Sequence, residues 1–235
     1  MAIERSHQAF LIAGTDTNAG KTVLTTVLAA YWQRYYPHSR LGIMKPIQSG
    51  EGDREWYQHY FSLDQSPEEM TPLYFQAPLA PPIAAVREGR SIDLAKAWQV
   101  YNQLCQNKDL LLVESLGGLG SPITFELTVA DWARDWQLPT LLVVPVQLGA
   151  IAHTVANVAL ARQAKVPLVG IVLNCREQDV ESAIADYTPI DLIQSLTNIP
   201  VLGILPPITD FTDTDKLTQI ASNLDLERLW GLGFI

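Results

Sequence analysis

The sequence predicts an α/β fold of three layers: a mostly parallel sheet flanked by helices. Three observations carry that expectation. The candidate strands are apolar on consecutive positions rather than alternate ones, the pattern of strands covered on both faces. Short apolar runs alternate with longer amphipathic ones, as strand–helix units require. The first strand also passes through a glycine-bounded loop directly into a helix, and open sheets of this kind hold ligands beyond the carboxyl ends of their strands.

Taken in order, Ala9 to Ala13 reads as a strand, Lys21 to Tyr35 as a helix and Leu41 to Lys45 as a second strand. The proline-rich segment Ser66 to Pro82 breaks the alternation and reads as a long connection across part of the sheet. Leu94 to Cys105 is a helix, Asp109 to Glu114 a strand, Thr128 to Trp136 a helix and Thr140 to Val146 a strand. Ile151 to Ala164 is a helix, Leu168 to Asn174 a strand, and Val180 to Ser195 one long helix. A short strand at Pro200 to Ile204 and a helix at Asp215 to Leu224 complete the pattern. With no repeat, low-complexity tract or linker, residues 1–235 are expected to form one domain.

Bulk properties narrow the function classes. Hydrophobic residues make up 48% and charged residues 17% of the 235, enough apolar material for a large core and against disorder. A net charge of −9 repels a phosphate backbone, so no nucleic-acid partner is expected. The two cysteines, Cys105 and Cys175, and the scattered His7, His38, His59 and His153 have no zinc-site or disulfide spacing. Both cysteines read as small buried hydrophobes. Met1 to His7 lacks the form of a signal peptide. The longest apolar run, Thr140 to Val146, is broken by Pro145 and falls short of the roughly 18 residues a span needs. A cytoplasmic protein with no membrane partner is the expectation.

The loop Gly14-Thr15-Asp16-Thr17-Asn18-Ala19-Gly20-Lys21-Thr22 carries the clearest chemistry. Small residues there let backbone N–H groups turn toward phosphate oxygens, and the helix that follows adds the positive end of its dipole. Lys21 can reach the β- and γ-phosphates, and the Thr22 hydroxyl can ligate Mg²⁺. The fold class is therefore the P-loop NTPase type, with a nucleoside triphosphate and Mg²⁺ as the expected ligands. One feature is irregular: five residues separate Gly14 from Gly20, where the usual spacing has four.

Other polar residues lie at strand ends. Lys45, in Lys45-Pro46-Ile47-Gln48-Ser49-Gly50, can stabilise developing phosphoryl charge or simply be solvated. Glu114 closes Leu110-Leu111-Leu112-Val113-Glu114 and suits Mg²⁺ or a turn. Asp53 is a second metal-carboxylate candidate, with Glu51 and Glu55 as local rivals. Asn174 ends its strand, where an amide can read an adenine edge or close a turn.

Together, Gly14-Thr15-Asp16-Thr17 with Gly20-Lys21-Thr22, Lys45-Pro46 with Ser49-Gly50, Val113-Glu114 with Gly117-Gly118, Ala130-Asp131-Trp132 and Asn174 resemble dethiobiotin synthetase over nearly the whole chain. The five-residue gap in the loop is that family's own spacing. The resemblance implies ring closure of 7,8-diaminononanoate with CO₂ and ATP through a carbamate and a carbamic–phosphoric anhydride. It implies catalytic roles for Lys21 and Lys45, and Mg²⁺ at Thr22, Asp53 and Glu114. It implies nucleotide contacts at Asn18, Ala19, Gly20, Lys21, Thr22, Val23, Gly117, Asn174, Leu205, Pro206 and Pro207. It places the diamine at Thr17 and Ser49. It also implies a homodimer, in which Gly149, Ala150 and Tyr187 reach the substrate carboxylate across the interface.

Asn18 stands where an acid is common in the family, Ser115-Leu116 where a Gly-Ala pair is common, and Ala152 where some relatives carry an amide. The rival reading is a ParA/MinD-type dimeric switch ATPase. That class carries a lysine early in the loop, absent from Gly14-Thr15-Asp16-Thr17, and its MinD members have a basic amphipathic tail. Residues 224–235 carry one arginine and two acids.

Overall fold

The structure is a computed structural model and describes residues 8–230; Met1 to His7 and residues 231–235 lie outside the described residues. Strand β1 (Gln8–Gly14) leads into α1 (Lys21–Tyr35), followed by β2 (Leu41–Met44), β3 (Ile47–Ser49) and α2 (Asp53–Tyr60). Next come α3 (Pro67–Met70), β4 (Leu73–Phe75), α4 (Pro81–Arg87), α5 (Leu94–Asn107) and β5 (Leu110–Gly118). The remainder is α6 (Val129–Asp135), β6 (Thr140–Pro145), α7 (Ala150–Ala164), β7 (Leu168–Asn174), α8 (Val180–Tyr187), α9 (Ile190–Thr197), β8 (Val201–Leu205), α10 (Thr214–Ser222) and α11 (Leu226–Trp230).

Six strands form one parallel sheet in the order β2-β5-β1-β6-β7-β8. The chain runs from β1 to one side, returns as β5 and resumes with β6 on the other side. The carboxyl end of β1 is thus the switch point, where a crevice opens. Alternate residues of β1 pack on opposite layers. Phe10 and Ile12 join α1, α10 and α11, whereas Leu11 and Ala13 join α5, α6 and Val166 just beyond α7. This two-sided burial is why the strands read as unbroken apolar runs. In α1, Leu24, Val27, Leu28 and Trp32 are all at most 1% exposed, and burying each such side chain is worth about 1.5–3 kcal/mol.

Two expectations need correction. The single helix expected from Val180 to Ser195 is two, α8 and α9, because Pro189 has no N–H to donate and holds Thr188 out of helical geometry. The connection from Ser66 to Pro82 is not structureless: it holds α3, β4 and the start of α4. Strand β4 pairs in parallel with β3, with Ile47 opposite Leu73 and Ser49 opposite Phe75. Three-residue strands are too short to show a period, which is why the sequence pattern missed them. Helix α3 is marked by a capping box, Ser66 accepting from Glu69 N and Glu69 accepting from Ser66 N.

Candidate active site

The phosphate loop begins where β1 ends. Gly14 admits no side chain, since a Cβ there would lie 2.7 Å from Asp16 O and 2.8 Å from the Ala19 methyl. Gly20, the N-cap of α1, has φ 102°, a conformation that costs an L-residue strain. Below the loop, Asn174 Nδ2 donates to Ala19 O at 2.9 Å. The Lys21 ammonium lies across the loop and donates to Thr17 O at 2.8 Å and Asp16 O at 3.2 Å. Burial, reinforced by the nearby Lys45 charge, lowers its pKa to about 8.

Beside the loop is a buried charge cluster. Lys45 Nζ is 2.5 Å from Asp53 Oδ2 and 2.8 Å from Glu114 Oε1, and it donates to Ser115 O at 3.0 Å. Burial by itself would lower the Lys45 pKa, but Glu114 and Asp53 together outweigh it and raise the value above that of a free lysine. Burial pushes the Asp53 carboxyl upward, and the Lys45 cation overcomes this to hold it below its ordinary range. Thr22 Oγ1 lies 2.9 Å from Asp53 Oδ1 and 3.2 Å from Glu114 Oε1, so its one proton has two carboxylate acceptors. On the far side of Glu114, Oε2 accepts from Thr25 Oγ1 at 3.2 Å and from the Tyr57 hydroxyl. Burial, then the negative charge of Glu114, raise the Tyr57 pKa well above that of a free phenol, so it remains a donor.

Of the three candidate acids after β2, only Asp53 reaches both Thr22 and Lys45. Glu55 is spent on capping α2, accepting from Gly52 N and Gln48 Nε2 at 2.9 Å each. Burial alone would raise its pKa, but these bonds and the Arg54 contact draw it down to about 2. Glu51 lines the crevice but is exposed.

A cavity of about 670 Å³ opens over these groups, a volume that suits a nucleotide-sized ligand. Its wall brings together Thr17, Asn18, Gly20, Lys21, Thr22, Val23, Lys45, Ser49, Asp53, Glu114 and Gly117. Ser49 Oγ is buried and has no hydrogen-bond partner within the protein, so it is free to meet a ligand. Ala19 and Asn174 sit behind the loop rather than in the wall, and Leu205, the last residue of β8, with Pro206 and Pro207 after it, is not part of the wall either. Gly149, Ala150 and Tyr187 are also not brought to this cavity. Gly149 is the left-handed N-cap of α7, Ala150 is buried with its N–H on Gln147 O, and Tyr187 is exposed at the end of α8.

Sequence reasoning missed Tyr57, Thr25 and Arg176. Tyr57 lies four residues after Asp53, a spacing that shares a helix face and would have flagged it had α2 been read. Arg176 stands two residues past the end of β7, lines the cavity and donates to Asn18 O at 2.6 Å; nothing local signals it. The Asp131 of Ala130-Asp131-Trp132 has a structural task, accepting from both Thr128 N and Thr128 Oγ1 at 2.8 Å to cap α6. Ser115 and Leu116 remain in extended β5, so the departure there leaves the strand intact.

A family model described as an AAA domain matches residues 8–215. The chain is 58% identical to the ATP-dependent dethiobiotin synthetase BioD of Gloeothece citriformis (strain PCC 7424), covering 94% of this chain and 98% of that protein. The protein of the same name from Synechocystis sp. (strain ATCC 27184 / PCC 6803 / Kazusa) is 47% identical, with 94% of each chain covered. The one from Bacillus cereus (strain B4264) is 32% identical, covering 94% of this chain and 92% of its own. Among solved structures, a ParA family ATPase from Chlorobium tepidum TLS matches with a TM-score of 0.60 at 13% identity, covering 97% of this chain and 99% of that one. A chain of the MinC:MinD cell division protein complex of Aquifex aeolicus matches with a TM-score of 0.61 at 17% identity, covering 95% of this chain and 96% of that one. At those identities the two structures share the fold alone.

Proposed function

Because the chain belongs to the dethiobiotin synthetase family, we propose that it closes the ureido ring of dethiobiotin from 7,8-diaminononanoate, CO₂ and ATP in the cavity between the phosphate loop and the Lys45 cluster. One observation carries this assignment to the residues. Lys21, Thr22, Lys45, Asp53 and Glu114 converge at one end of a cavity whose wall also offers Thr17 and the unpartnered Ser49 hydroxyl. Phosphoryl transfer needs positioned charge more than covalent help from the protein.

One amine of the substrate captures CO₂ as a carbamate. The carbamate oxygen attacks the γ-phosphorus and ADP leaves, giving the mixed anhydride. The second amine attacks the activated carbon, phosphate departs and the ring is closed. In this scheme Lys21 exchanges its loop carbonyls for phosphate oxygens, and Lys45 stabilises charge on the transferring group. Thr17 and Ser49 hold the diamine or its carbamate. Asn18, Gly20, Val23 and Gly117 border the nucleotide. Ala19 and Asn174 support the loop from behind, with Leu205, Pro206 and Pro207 on the base side.

The donor set fits Mg²⁺: two carboxylates, Asp53 and Glu114, and the Thr22 hydroxyl are hard oxygen ligands around one point. Among the described residues there is no cluster of three or more His, Cys, Asp or Glu that could hold a metal ion, which suits a cation arriving with the nucleotide. When bound, Mg²⁺ neutralises charge on the β- and γ-phosphates.

The whole chain acts, in this proposal, as a single domain in the cytoplasm; no helix among the described residues is long and apolar enough to cross a membrane. It acts as a homodimer, and the start of α7 with Gly149 and Ala150, together with Tyr187, serves the neighbouring subunit's substrate. Leu148, Val155, Tyr187, Leu192 and Leu196 are exposed on or beside α7 to α9, where a partner's surface would cover them. The N-terminus of a helix suits a carboxylate.

Three outcomes are expected. With ATP, Mg²⁺ and bicarbonate, phosphate is released only when the diamine is added; release indifferent to the diamine would sink the reading in favour of a switch ATPase. In sedimentation the protein has twice the 26.0 kDa chain mass. Leu148→Arg shifts it toward monomer and raises KM for the diamine about tenfold, the scale of one interface anchor. A fully active wild-type monomer would rule the shared site out.

A further inference from the structure

We propose that Tyr57 is a positioning residue for phosphoryl transfer: its phenol holds Glu114 Oε2 and so leaves Oε1 as the oxygen presented to the metal and the ligand. This rests on the reading of Glu114 as a metal carboxylate. Glu114 has no exposed surface, and its two oxygens have different neighbours. Oε1 faces Thr22 and Lys45, which both line the cavity. Oε2 faces Thr25 and Tyr57, which do not.

The two donors to Oε2 are unequal. Thr25 Oγ1 has one proton and several acceptors in reach: Lys21 O at 3.0 Å, Glu114 Oε2 at 3.2 Å and the Tyr57 hydroxyl oxygen. The Tyr57 hydroxyl donates to Glu114. Without the phenol, Oε2 would keep only the divided Thr25 bond. The carboxylate could then turn about its last torsion, since terminal sp³–sp² torsions have broad wells.

Helix α2 makes this a shared device. Asp53 is its first residue and Tyr57 lies one turn on, so one helix face delivers one carboxylate and fixes the other. The helix is itself anchored: Trp56 Nε1 donates to Thr26 Oγ1 of α1 at 3.0 Å, and the Trp56 ring meets Phe211 edge-on with centroids 4.8 Å apart. A tyrosine retained for packing alone would need only its ring. The hydroxyl is explained by the carboxylate, because groups that orient metal ligands set metal affinity.

The test is Mn²⁺ binding to the ADP-bound enzyme, followed by the electron paramagnetic resonance of free Mn²⁺. It compares wild type, Tyr57→Phe, Tyr57→Leu and Glu114→Gln. Tyr57→Phe is expected to weaken Mn²⁺ about tenfold, to lower kcat with KM for the diamine unchanged, and to leave ADP affinity in EDTA within about twofold of wild type. Tyr57→Leu should show at least the same Mn²⁺ loss. If Tyr57→Phe binds Mn²⁺ like wild type while Glu114→Gln does not, the role of the phenol is overturned and the metal assignment stands. A defect confined to Tyr57→Leu overturns it too, since the ring and not the hydroxyl would then matter. If Glu114→Gln binds Mn²⁺ normally, the metal assignment falls and takes this role with it.

Discussion

Lys45→Ala is expected to lower kcat about 100- to 1000-fold, the range seen when one preorganised donor to a developing charge is lost, while ATP still binds. The reason lies in where the ammonium sits. Its Nζ is within 2.8 Å of both Asp53 and Glu114 and it lines the cavity beside Lys21. Its raised pKa keeps it a cation throughout the neutral range, ready to act without a proton transfer. The substitution has a second consequence. Two largely buried carboxylates would be left facing each other, and breaking a buried ion pair costs about 3–5 kcal/mol; the partial exposure of Asp53 makes that an upper bound. Saturating Mg²⁺ with ATP should recover part of the lost melting temperature, because a divalent cation can neutralise the same carboxylates. It should not recover the rate, because the ammonium over the transferring group is still missing. Diamine-dependent phosphate release and thermal melts with and without Mg²⁺ and ATP separate the two. A variant within about fivefold of wild type at saturating Mg²⁺ would reduce Lys45 to a counter-ion.

Gly20→Ala is expected to weaken ATP binding about 100-fold, from roughly 3 kcal/mol of backbone strain and lost hydrogen bonding. A Cβ on Gly20 would lie 2.0 Å from Asn174 Nδ2 and 2.6 Å from its Cγ, on a backbone with φ 102°. Asn174 cannot withdraw and still donate to Ala19 O, so the contact that shapes the loop from below is lost together with the favoured backbone. The two costs can be separated. In Gly20→Ala combined with Asn174→Ala the two contacts below 3 Å are gone, and the φ strain, a close approach of 3.2 Å to the remaining Cβ at position 174 and the missing amide are left. The double variant should therefore bind ATP more tightly than the two single losses would sum to. Calorimetric titration of each variant with ATP measures this. Wild-type affinity in Gly20→Ala would mean that the loop does not depend on this geometry when nucleotide is bound.

These two residues differ in how far the sequence disclosed them. Gly20 belongs to a contiguous signature, and a loop followed by a helix N-terminus needs only neighbouring residues to declare its chemistry. Lys45 and Glu114 were found because each ends a hydrophobic strand, and strand ends in a parallel sheet face the ligand crevice. Their direct contact, across 69 positions of chain, follows from β2 pairing with β5. Asn174 at a strand end suits either an adenine edge or a turn, and its bond to Ala19 O adds a support role that strand-end logic does not contain. The short strands β3 and β4 went unread, since a few residues carry no measurable period, and so did the helix α2.

The sequence by itself determined the layered α/β fold, the phosphate loop and the strand-end residues, and by resemblance the family. All of these depend on local pattern: hydrophobic period, glycine and proline placement, and a lysine and hydroxyl in fixed register. Only the tertiary structure decided which of Glu51, Asp53 and Glu55 reaches Thr22 and Lys45, that Glu114 is held on its inner side by Tyr57, and that Arg176 closes on Asn18. Those facts depend on which side chains the folded backbone brings within about 3 Å, and residues 57 and 158 positions apart in the chain carry no mark of that nearness.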